Sequence, residues 1–321
     1  LEWNVGRIKV KLPFLISLNN KELEGIVFDI QRFGLHDGPG VRTVVFLKGC
    51  PLSCKWCSNP ESIELQPQLS FAKEKCTEAE NCISSCPEGV FSNRFWKAKV
   101  DFDDCTACGK CVEVCPSDAL KLYGYSTSTE QLLEIINRDK DYYRNTGGGL
   151  TLSGGEPLMQ FDFALDLLRK AKLENIHTCI ETAGFVTKDR IEQVLPFTDL
   201  FLYDYKLTDD SQHQYYTGVS NQIILENLEL LLKNGAQVVL RCIIIPGVND
   251  NSEHFKAIAG LSEHENIKQV DIMPYHEYGK HKYEQLGMKA YEFGVKTTDK
   301  ELAHMWVDEI KNYGCKKVKL G

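Results

Sequence analysis

The sequence predicts an α/β protein in which a parallel sheet of βαβ units is interrupted by a small cysteine-rich insert. Two observations support this prediction. From residue 129 onward, short apolar segments alternate with longer segments of helical spacing, which is the pattern of strands joined by crossover helices. Between residues 66 and 123 this periodicity weakens and cysteines dominate.

These changes divide the 321 residues into four segments. We predict an N-terminal extension (1–24), the start of the sheet (25–65), the insert (66–123) and the remainder of the sheet (124–321). The apolar run in the extension is short, is interrupted by Pro13 and lacks a small-residue cleavage site. We therefore expect a loosely attached extension, or a wrongly assigned start, rather than a signal peptide.

Strands are predicted where short apolar runs end at glycine, proline or polar residues. The predicted strands are 25–31, 43–48, 150–152, 177–180, 200–205, 237–245 and 268–273. Six of them, from 43–48 onward, belong to the βαβ series, which is fewer than the eight of a closed barrel.

Helices are predicted from apolar spacing and from their end signals. Thr129 is the expected N-cap of the first helix, Pro196 stops the third, and Asn234-Gly235 ends the fourth. The predicted helices are 129–144, 161–172, 188–195, 223–233, 252–261 and 300–312.

Composition limits the functional class. The net charge of −8 argues against nucleic acid as a partner, because phosphate binding needs a basic surface. No apolar run approaches the roughly 18–20 residues of a membrane helix. Ten of the 13 cysteines lie between Cys50 and Cys115, and an odd, clustered count without a signal peptide favours metal binding in the cytoplasm over disulfides.

Three cysteines with C-x3-C-x2-C spacing follow the strand 43–48: Cys50, Cys54 and Cys57. Three thiolates can hold three irons of one 4Fe–4S cluster and leave the fourth iron open. An open coordination position is typical of a reactive site, whereas a structural site is closed. Zinc would favour paired C-x2-C spacing.

The insert contains a C-x2-C-x2-C-x3-C-P run, which is the bacterial ferredoxin pattern. Its cysteines are Cys105, Cys108, Cys111 and Cys115. A second, earlier run has Cys76, Cys82 and Cys86 in register, but Ala79 stands where its second cysteine is expected.

In ferredoxins the fourth cysteine of each run binds the other cluster. One cluster would therefore have four thiolates, from Cys86, Cys105, Cys108 and Cys111. The other would have only Cys76, Cys82 and Cys115. It could be a three-iron form, could take Glu78, Glu80 or water as its fourth ligand, or could be absent.

Polar residues follow the βαβ strands, and in βα barrels the chemistry lies at these carboxyl ends. Gly154, Gly155 and Glu156 follow the strand 150–152, where paired glycines let a backbone approach a ligand closely and the carboxylate adds charge. Asp204 and Lys206 are two residues apart, so their side chains point the same way.

Residues 36–62, HDGPGVRTVVFLKGCPLSCKWCSNPES, resemble the signature of the radical S-adenosylmethionine (SAM) enzymes that activate glycyl radical enzymes. Residues 274–283 likewise resemble the family's P-Y-H-x-x-G-x-x-K-Y segment. The resemblance runs from about Gly25 to the last residue. It implies an open, six-stranded partial (β/α)6 TIM-like barrel with an inserted ferredoxin-like domain for two 4Fe–4S clusters.

The resemblance also implies roles for individual residues. Gly154, Gly155 and Glu156 would hold the amino group of SAM. Glu181, Asp204 and Lys206 would surround its carboxylate, with a monovalent cation as a further candidate, although the family more often has Asp at the Glu181 position. The remaining residues expected to bind SAM are Trp56, Cys57, Ser58, Tyr205 and His276.

The implied function is that of an anaerobic oxidoreductase, a glycyl radical enzyme activase. A flavodoxin or ferredoxin would reduce the cluster, SAM would be cleaved, and the resulting radical would take hydrogen from a glycine of a partner enzyme. The alternatives are a radical SAM enzyme acting on a small molecule or peptide, and a non-catalytic electron carrier. The insert resembles activases of the dehydratase, decarboxylase and C–S or C–N lyase branches more than compact pyruvate formate-lyase activases.

Overall fold

The structure, a computed structural model, describes residues 3–5, 8–10, 22–94 and 97–321, with side chains for 22–92 and 99–321. Most of the predicted N-terminal extension lies outside the described residues. Two short segments near the start of the extension are described, residues 3–5 and 8–10, and they form an antiparallel pair.

The strands are β1 (Trp3–Val5), β2 (Ile8–Val10), β3 (Glu24–Gly34), β4 (Arg42–Leu47), β5 (Gln68–Phe71), β6 (Phe91–Arg94), β7 (Lys97–Val100), β8 (Leu120–Tyr123), β9 (Tyr125–Ser128), β10 (Gly149–Gly154), β11 (His177–Thr182), β12 (Leu200–Asp204), β13 (Val238–Ile244), β14 (Ile267–Pro274) and β15 (Val318–Leu320). The α-helices are α1 (Asn81–Ser85), α2 (Lys110–Glu113), α3 (Thr129–Asn137), α4 (Lys140–Thr146), α5 (Phe161–Leu173), α6 (Lys188–Val194), α7 (Asp210–Thr217), α8 (Gln222–Lys233), α9 (Ser252–Ser262), α10 (Lys280–Gln285) and α11 (Lys300–Asn312).

The central sheet has nine strands in the order β15-β14-β13-β12-β11-β10-β4-β3-β9. From β4 to β15 all neighbours are parallel and follow chain order, as in a βα barrel. Strands β3 and β9 extend the sheet antiparallel at one edge. No pairing joins β9 to β15 in the described chain, so the sheet stays open, which confirms the predicted partial barrel.

The six predicted parallel strands are all present, and β15 adds a seventh that the sequence did not reveal. It has only three residues, Val-Lys-Leu, which is too short for a periodic signal. Its backbone pairs with β14 in register from Val270↔Val318. The strand is therefore specified by tertiary pairing rather than by local pattern.

The two faces of the parallel strands differ in chemistry. In β10, Leu150 and Leu152 lie in the main hydrophobic core between sheet and helices. The alternate residues, Thr151 and Ser153, point to the opposite face because side chains alternate along a strand. At β10 the inner face of the open barrel consequently carries polar side chains.

The predicted helix 129–144 is two helices, α3 and α4, separated at Arg138 and Asp139. Its N-cap is Ser128 rather than Thr129, since the Ser128 side chain accepts from the backbone N–H of Gln131 in a capping box. The break coincides with a buried carboxylate, because Asp139 turns towards the sheet.

Asp139 joins α4 to the edge of the sheet. Its carboxylate accepts from Arg32 Nε at 2.9 Å and from Thr43 Oγ1 at 3.0 Å. The hydroxyl of Tyr143 donates to the same Thr43 Oγ1 at 2.6 Å. The hydrogen bond from Arg32 lowers the pKa of Asp139 below its usual range, so this carboxyl is ionised at neutral pH.

Arg42 is fully buried at the start of β4. Its guanidinium donates to Thr151 Oγ1 at 2.6 Å, to the Pro39 carbonyl at 3.1 Å, and to the carbonyls of Leu150 and His177. One side chain thus ties the loop before β4 to β10 and β11. This contact explains structurally why the segment 37–43 contains an arginine.

The insert begins and ends in one antiparallel pair, β5 with β8. Between them lie a second pair, β6 with β7, and the short helices α1 and α2, which contact each other. The side chain of Gln285 in α10 donates to Glu74 at 3.1 Å and so joins the insert to the barrel. Its identity as a ferredoxin-like domain remains a prediction.

Among the described helices, none is both long and apolar enough to cross a membrane.

Asp139→Asn tests the link between α4 and the sheet. We expect it to lower the free energy of unfolding by about 1–3 kcal/mol, because an amide pairs less strongly with Arg32. Urea unfolding followed by circular dichroism measures the change. The control is Asp141→Asn, because Asp141 pairs with Arg144 on the surface and should cost less than about 0.5 kcal/mol. Equal costs for both variants would contradict this assignment.

Candidate functional site

A cavity of about 340 Å³ opens at the carboxyl ends of the parallel strands. This volume suits one ligand of cofactor size. Most of the residues predicted from sequence to bind a ligand line it. They are Cys50, Cys54, Trp56, Cys57, Ser58, Gly154, Gly155, Glu181, Asp204, Lys206 and His276.

The cysteine loop, residues 49–59, is held by backbone hydrogen bonds on two sides. On one side, the N–H of Cys50 donates to the carbonyl of Ile63 at 2.9 Å. On the other side, Ser53 N–H donates to Thr217 at 2.8 Å, at the end of α7. The loop is therefore positioned by the protein backbone itself.

The paired glycines at the end of β10, Gly154 and Gly155, hold the beginning of this loop. The N–H groups of Gly155 and Glu156 donate to the carbonyls of Leu47 and Gly49, each at 2.9 Å. A Cβ atom at Gly155 would lie 2.3 Å from the Gly49 oxygen, and Gly154 has a φ of +108°. Glycine is thus required here for contact between two backbones, in addition to the predicted approach of a ligand.

The three thiols suit an iron–sulfur cluster. Cys50, Cys54 and Cys57 line the same cavity, and burial raises the pKa of Cys50 and of Cys57 to about 12. Such thiols lose their protons when positively charged metal compensates the thiolates. Backbone N–H groups of Leu52 and Asn59 point at two of the sulfurs and favour the thiolate.

Among the described residues, no three His, Cys, Asp or Glu side chains lie close enough together to bind a single metal ion. In a 4Fe–4S cluster each thiolate binds its own iron, so the ligands spread around a larger group than one ion. The arrangement of Cys50, Cys54 and Cys57 is consistent with such a group.

Glu181 and Arg241 form an ion pair in the cavity wall. Arg241 Nη1 lies 2.7 Å from Glu181 Oε1 and 3.9 Å from Asp37, while Ser153 donates to the other Glu181 oxygen at 2.5 Å. The Glu181 carboxylate raises the pKa of Arg241. Both oxygens of Glu181 already have protein partners, so the predicted monovalent cation gains no support from this carboxylate.

Lys206 supplies a second fixed positive charge. Its Nζ lies 2.9 Å from Asp204 Oδ2, and both side chains line the cavity. Burial acts to lower the pKa of Lys206, but the Asp204 carboxylate and the nearby Cys54 raise it above its usual range. Lys206 can therefore pair with an anionic ligand group or with the thiolates of the cysteine loop.

Glu156 is fully buried beneath the cavity and does not line it. Its carboxylate accepts from the Thr182 hydroxyl at 2.8 Å and from the Ala183 N–H at 3.0 Å. Burial raises the pKa of Glu156 to about 7 although these donors oppose the shift. Its side chain positions the turn after β11, and this geometry lends no support to direct ligand contact.

Tyr205 is also turned away from the cavity. Its hydroxyl pairs with Thr208 at 2.8 Å, and its ring stacks on His254 at 5.4 Å between centroids. The predicted role of its side chain in ligand binding therefore gains no support from the structure.

A clamp on the cysteine loop was missed from sequence. Lys282 in α10 donates to Asn59 Oδ1 at 3.0 Å and to Glu61 Oε1 at 2.6 Å, and the Glu61 side chain is 3% exposed. A Cβ atom at Gly279 would lie 2.6 Å from the Cys57 carbonyl oxygen. Gly279 and Lys282 both lie in the segment 274–283, in which only His276 has a predicted role.

Asp37, in the segment 36–62, and Arg241, on the predicted strand 237–245, had no predicted role, and both line the cavity. The three remaining cysteines are Cys179, Cys242 and Cys315. They are buried free thiols.

The insert cysteines assemble in two separate cavities. One is lined by the four predicted for a complete cluster: Cys86, Cys105, Cys108 and Cys111. The other contains Cys76, Cys82 and Cys115, together with Ala79. We refer to them as the four-thiol site and the three-thiol site; their occupation by clusters remains a prediction.

A family model described as "Radical SAM superfamily" matches residues 44–259 of this chain. The isethionate sulfite-lyase activating enzyme of Oleidesulfovibrio alaskensis is 41% identical over 85% of this chain and 91% of its own length. The (2S)-3-sulfopropanediol dehydratase activating enzyme of Klebsiella oxytoca is 41% identical over 84% of this chain and 87% of its own.

Among solved structures, Streptococcus suis SuiB bound to the precursor peptide SuiA superimposes with a TM-score of 0.52. It is 12% identical, and the match covers 87% of this chain and 48% of that one. At this identity the likeness concerns the fold alone.

Lys282→Met tests the clamp. The change leaves the buried Glu61 carboxylate without its cation, so we expect the free energy of unfolding to fall by about 1–3 kcal/mol. Urea unfolding and iron content after gel filtration are the measurements. The matched control is Lys280→Met in the same helix, because Lys280 pairs with the exposed Glu292 and its loss should hardly change stability. A loss no larger than that of the control would contradict the clamp.

Glu156 makes stability depend on pH. With its pKa raised from 4.5 to about 7, the folded protein keeps a proton that the unfolded chain has released. Stability should therefore fall by about 2 kcal/mol as pH rises from about 5 to about 8. Urea unfolding across this range should show that Glu156→Gln removes this part of the slope. Glu226→Gln, an exposed change in α8, should leave it intact; an unchanged slope in Glu156→Gln would count against the assignment.

Proposed function

We propose that this chain, which belongs to the Radical SAM superfamily and within it to the activating enzymes of glycyl radical enzymes, installs a glycyl radical on a partner enzyme. The observation that carries the proposal is the cavity at the strand ends. It joins the three thiols of the cysteine loop to a set of charged groups suited to an amino acid.

The cysteine loop would hold a 4Fe–4S cluster through Cys50, Cys54 and Cys57, which line the cavity. When bound, the cluster would supply the electron for cleavage of SAM to methionine and a 5′-deoxyadenosyl radical, and that radical would take hydrogen from a glycine of the partner enzyme. The protein's part is to orient the bound SAM and to exclude water. Trp56, 7% exposed and on the cavity wall, is placed to keep water from the thiolates.

The charged groups suggest how SAM would be oriented. The ammonium of its methionine moiety would lie at the backbone of Gly154 and Gly155, and its carboxylate near Lys206. Asp204 would fix the position of that lysine through their 2.9 Å ion pair. His276 lines the same cavity and would contact the rest of the ligand.

Arg241 offers an alternative to the monovalent cation. It lies between Glu181 and Asp37 and compensates carboxylates that a cation would otherwise neutralise. Glutamate reaches further than the aspartate that is more common in the family at position 181, and this extra length supports the pairing.

We propose that the insert holds additional 4Fe–4S clusters, beginning with the four-thiol site, and that a flavodoxin or ferredoxin supplies the electron. All thirteen cysteines, which lie within the described residues, are free of disulfides, and this suits a reducing compartment such as the cytoplasm.

The relatives indicate two classes of partner enzyme. The two relatives are named for a sulfite-lyase and for a dehydratase, and each is 41% identical to this chain. The partner would be a glycyl radical enzyme of these lyase or dehydratase classes.

Low-temperature EPR of the anaerobically reduced protein tests the function. We expect SAM to change the signal of one cluster, and Cys54→Ala to remove that signal while signals from the insert remain. Signals that are all unaffected by SAM would overturn the proposal and favour an electron carrier.

The partner is tested by mixing reduced protein and SAM with isethionate sulfite-lyase or with sulfopropanediol dehydratase. A glycyl radical signal and equimolar 5′-deoxyadenosine are expected with a cognate enzyme. Release of 5′-deoxyadenosine without a glycyl radical on either would favour a small-molecule or peptide substrate.

A further inference from the structure

The three-thiol site differs from the four-thiol site at one position. The run Cys76, Ala79, Cys82 aligns with Cys105, Cys108, Cys111, so Ala79 stands where the other run has a ligand. Ala79 lines the same cavity as the three thiols of its site. The fold thus places the methyl group of Ala79 where the fourth ligand of a cluster would be.

We propose that Cys76, Cys82 and Cys115 hold an iron–sulfur cluster with three thiolates, and that Ala79 leaves its fourth iron exchangeable. The inference rests on the proposal that the insert binds clusters. It assigns to this chain a site that interconverts between four-iron and three-iron forms.

The surroundings of Cys115 support a thiolate ligand. The backbone N–H groups of Ser117, Ala119 and Leu120 point at its sulfur, and the Ser117 hydroxyl lies 3.8 Å from it. Hydrogen bonds of this kind are common around cluster sulfurs and tune the cluster. The apolar wall includes Phe91, which is 8% exposed.

The open corner lies at the protein surface. Ala79 is exposed, as is Cys108 at the equivalent position of the other site. An iron at this corner could therefore enter or leave through solvent, whereas the other three corners are half-buried.

Oxygen ligands do not change this conclusion. Glu80 lines the cavity, whereas Glu78 is not part of its wall. A carboxylate or water is a harder ligand than a thiolate and holds cluster iron less firmly. The iron at the Ala79 corner remains the exchangeable one with either ligand.

The test uses the full chain with Cys50, Cys54 and Cys57 changed to Ala, because the cluster proposed for the cysteine loop also has three thiolates. Reconstituted protein is treated with ferricyanide under anaerobic conditions. At the three-thiol site, a 4Fe–4S cluster of charge 2+ would lose one Fe²⁺ and one electron to ferricyanide, leaving a 3Fe–4S cluster of charge 1+. EPR and iron analysis are the measurements.

We expect a three-iron EPR signal and about seven irons per chain after oxidation. Adding Ala79→Cys should reduce the signal at least tenfold and raise the iron content to about eight. Ser84→Cys, an exposed thiol on α1 outside the cavity, should leave both unchanged, and Cys76→Ala should abolish the signal.

Three other results would overturn the inference. They are a signal that persists in Ala79→Cys, the absence of any three-iron signal before that change, and about four irons per chain, which would mean that only the four-thiol site is filled. If the insert contains no iron after reconstitution, the premise that it binds clusters is wrong. None of these results affects the SAM-dependent EPR change at the cysteine loop, so the two failures are distinguishable.

Discussion

The close approach of two backbones at the ends of β4 and β10 is the constraint on which the site depends. Gly154 and Gly155 lie so near the carbonyls of Leu47 and Gly49 that neither position has room for a Cβ atom. Hydrogen bonds from Gly155 and Glu156 then fix where the cysteine loop leaves the sheet.

The polar inner face of the open barrel provides the rest of the chemistry. Closed βα barrels fill their interior with branched apolar side chains, whereas here part of that space is lined by Ser153, Glu181, Asp204 and Arg241. Each charged group is paired, which lowers the cost of keeping it partly buried. An open sheet tolerates this arrangement because its apolar core lies on the other face, beneath the helices.

Helix α10 gives the site a second support and connects it to the insert. Lys282 holds the loop through Asn59 and Glu61, and one turn further Gln285 contacts Glu74 of the insert. A Cβ atom at Gly287, just after the helix, would clash with Phe102. The cysteine loop and the insert are thus packed against the same short helix. A displacement of one can therefore shift the other through α10.

The sequence by itself determined the α/β class, the parallel strands, the cysteine sets and most residues of the cavity. These features depend on local periodicity and on short motifs, which are readable along the chain. Tertiary structure decided the rest. It turned Glu156 and Tyr205 away from the cavity, recruited Lys282 across more than two hundred residues, and added β15 by pairing alone. Side-chain direction, buried ion pairs and short edge strands depend on neighbours that are remote in sequence, and local pattern carries no record of them.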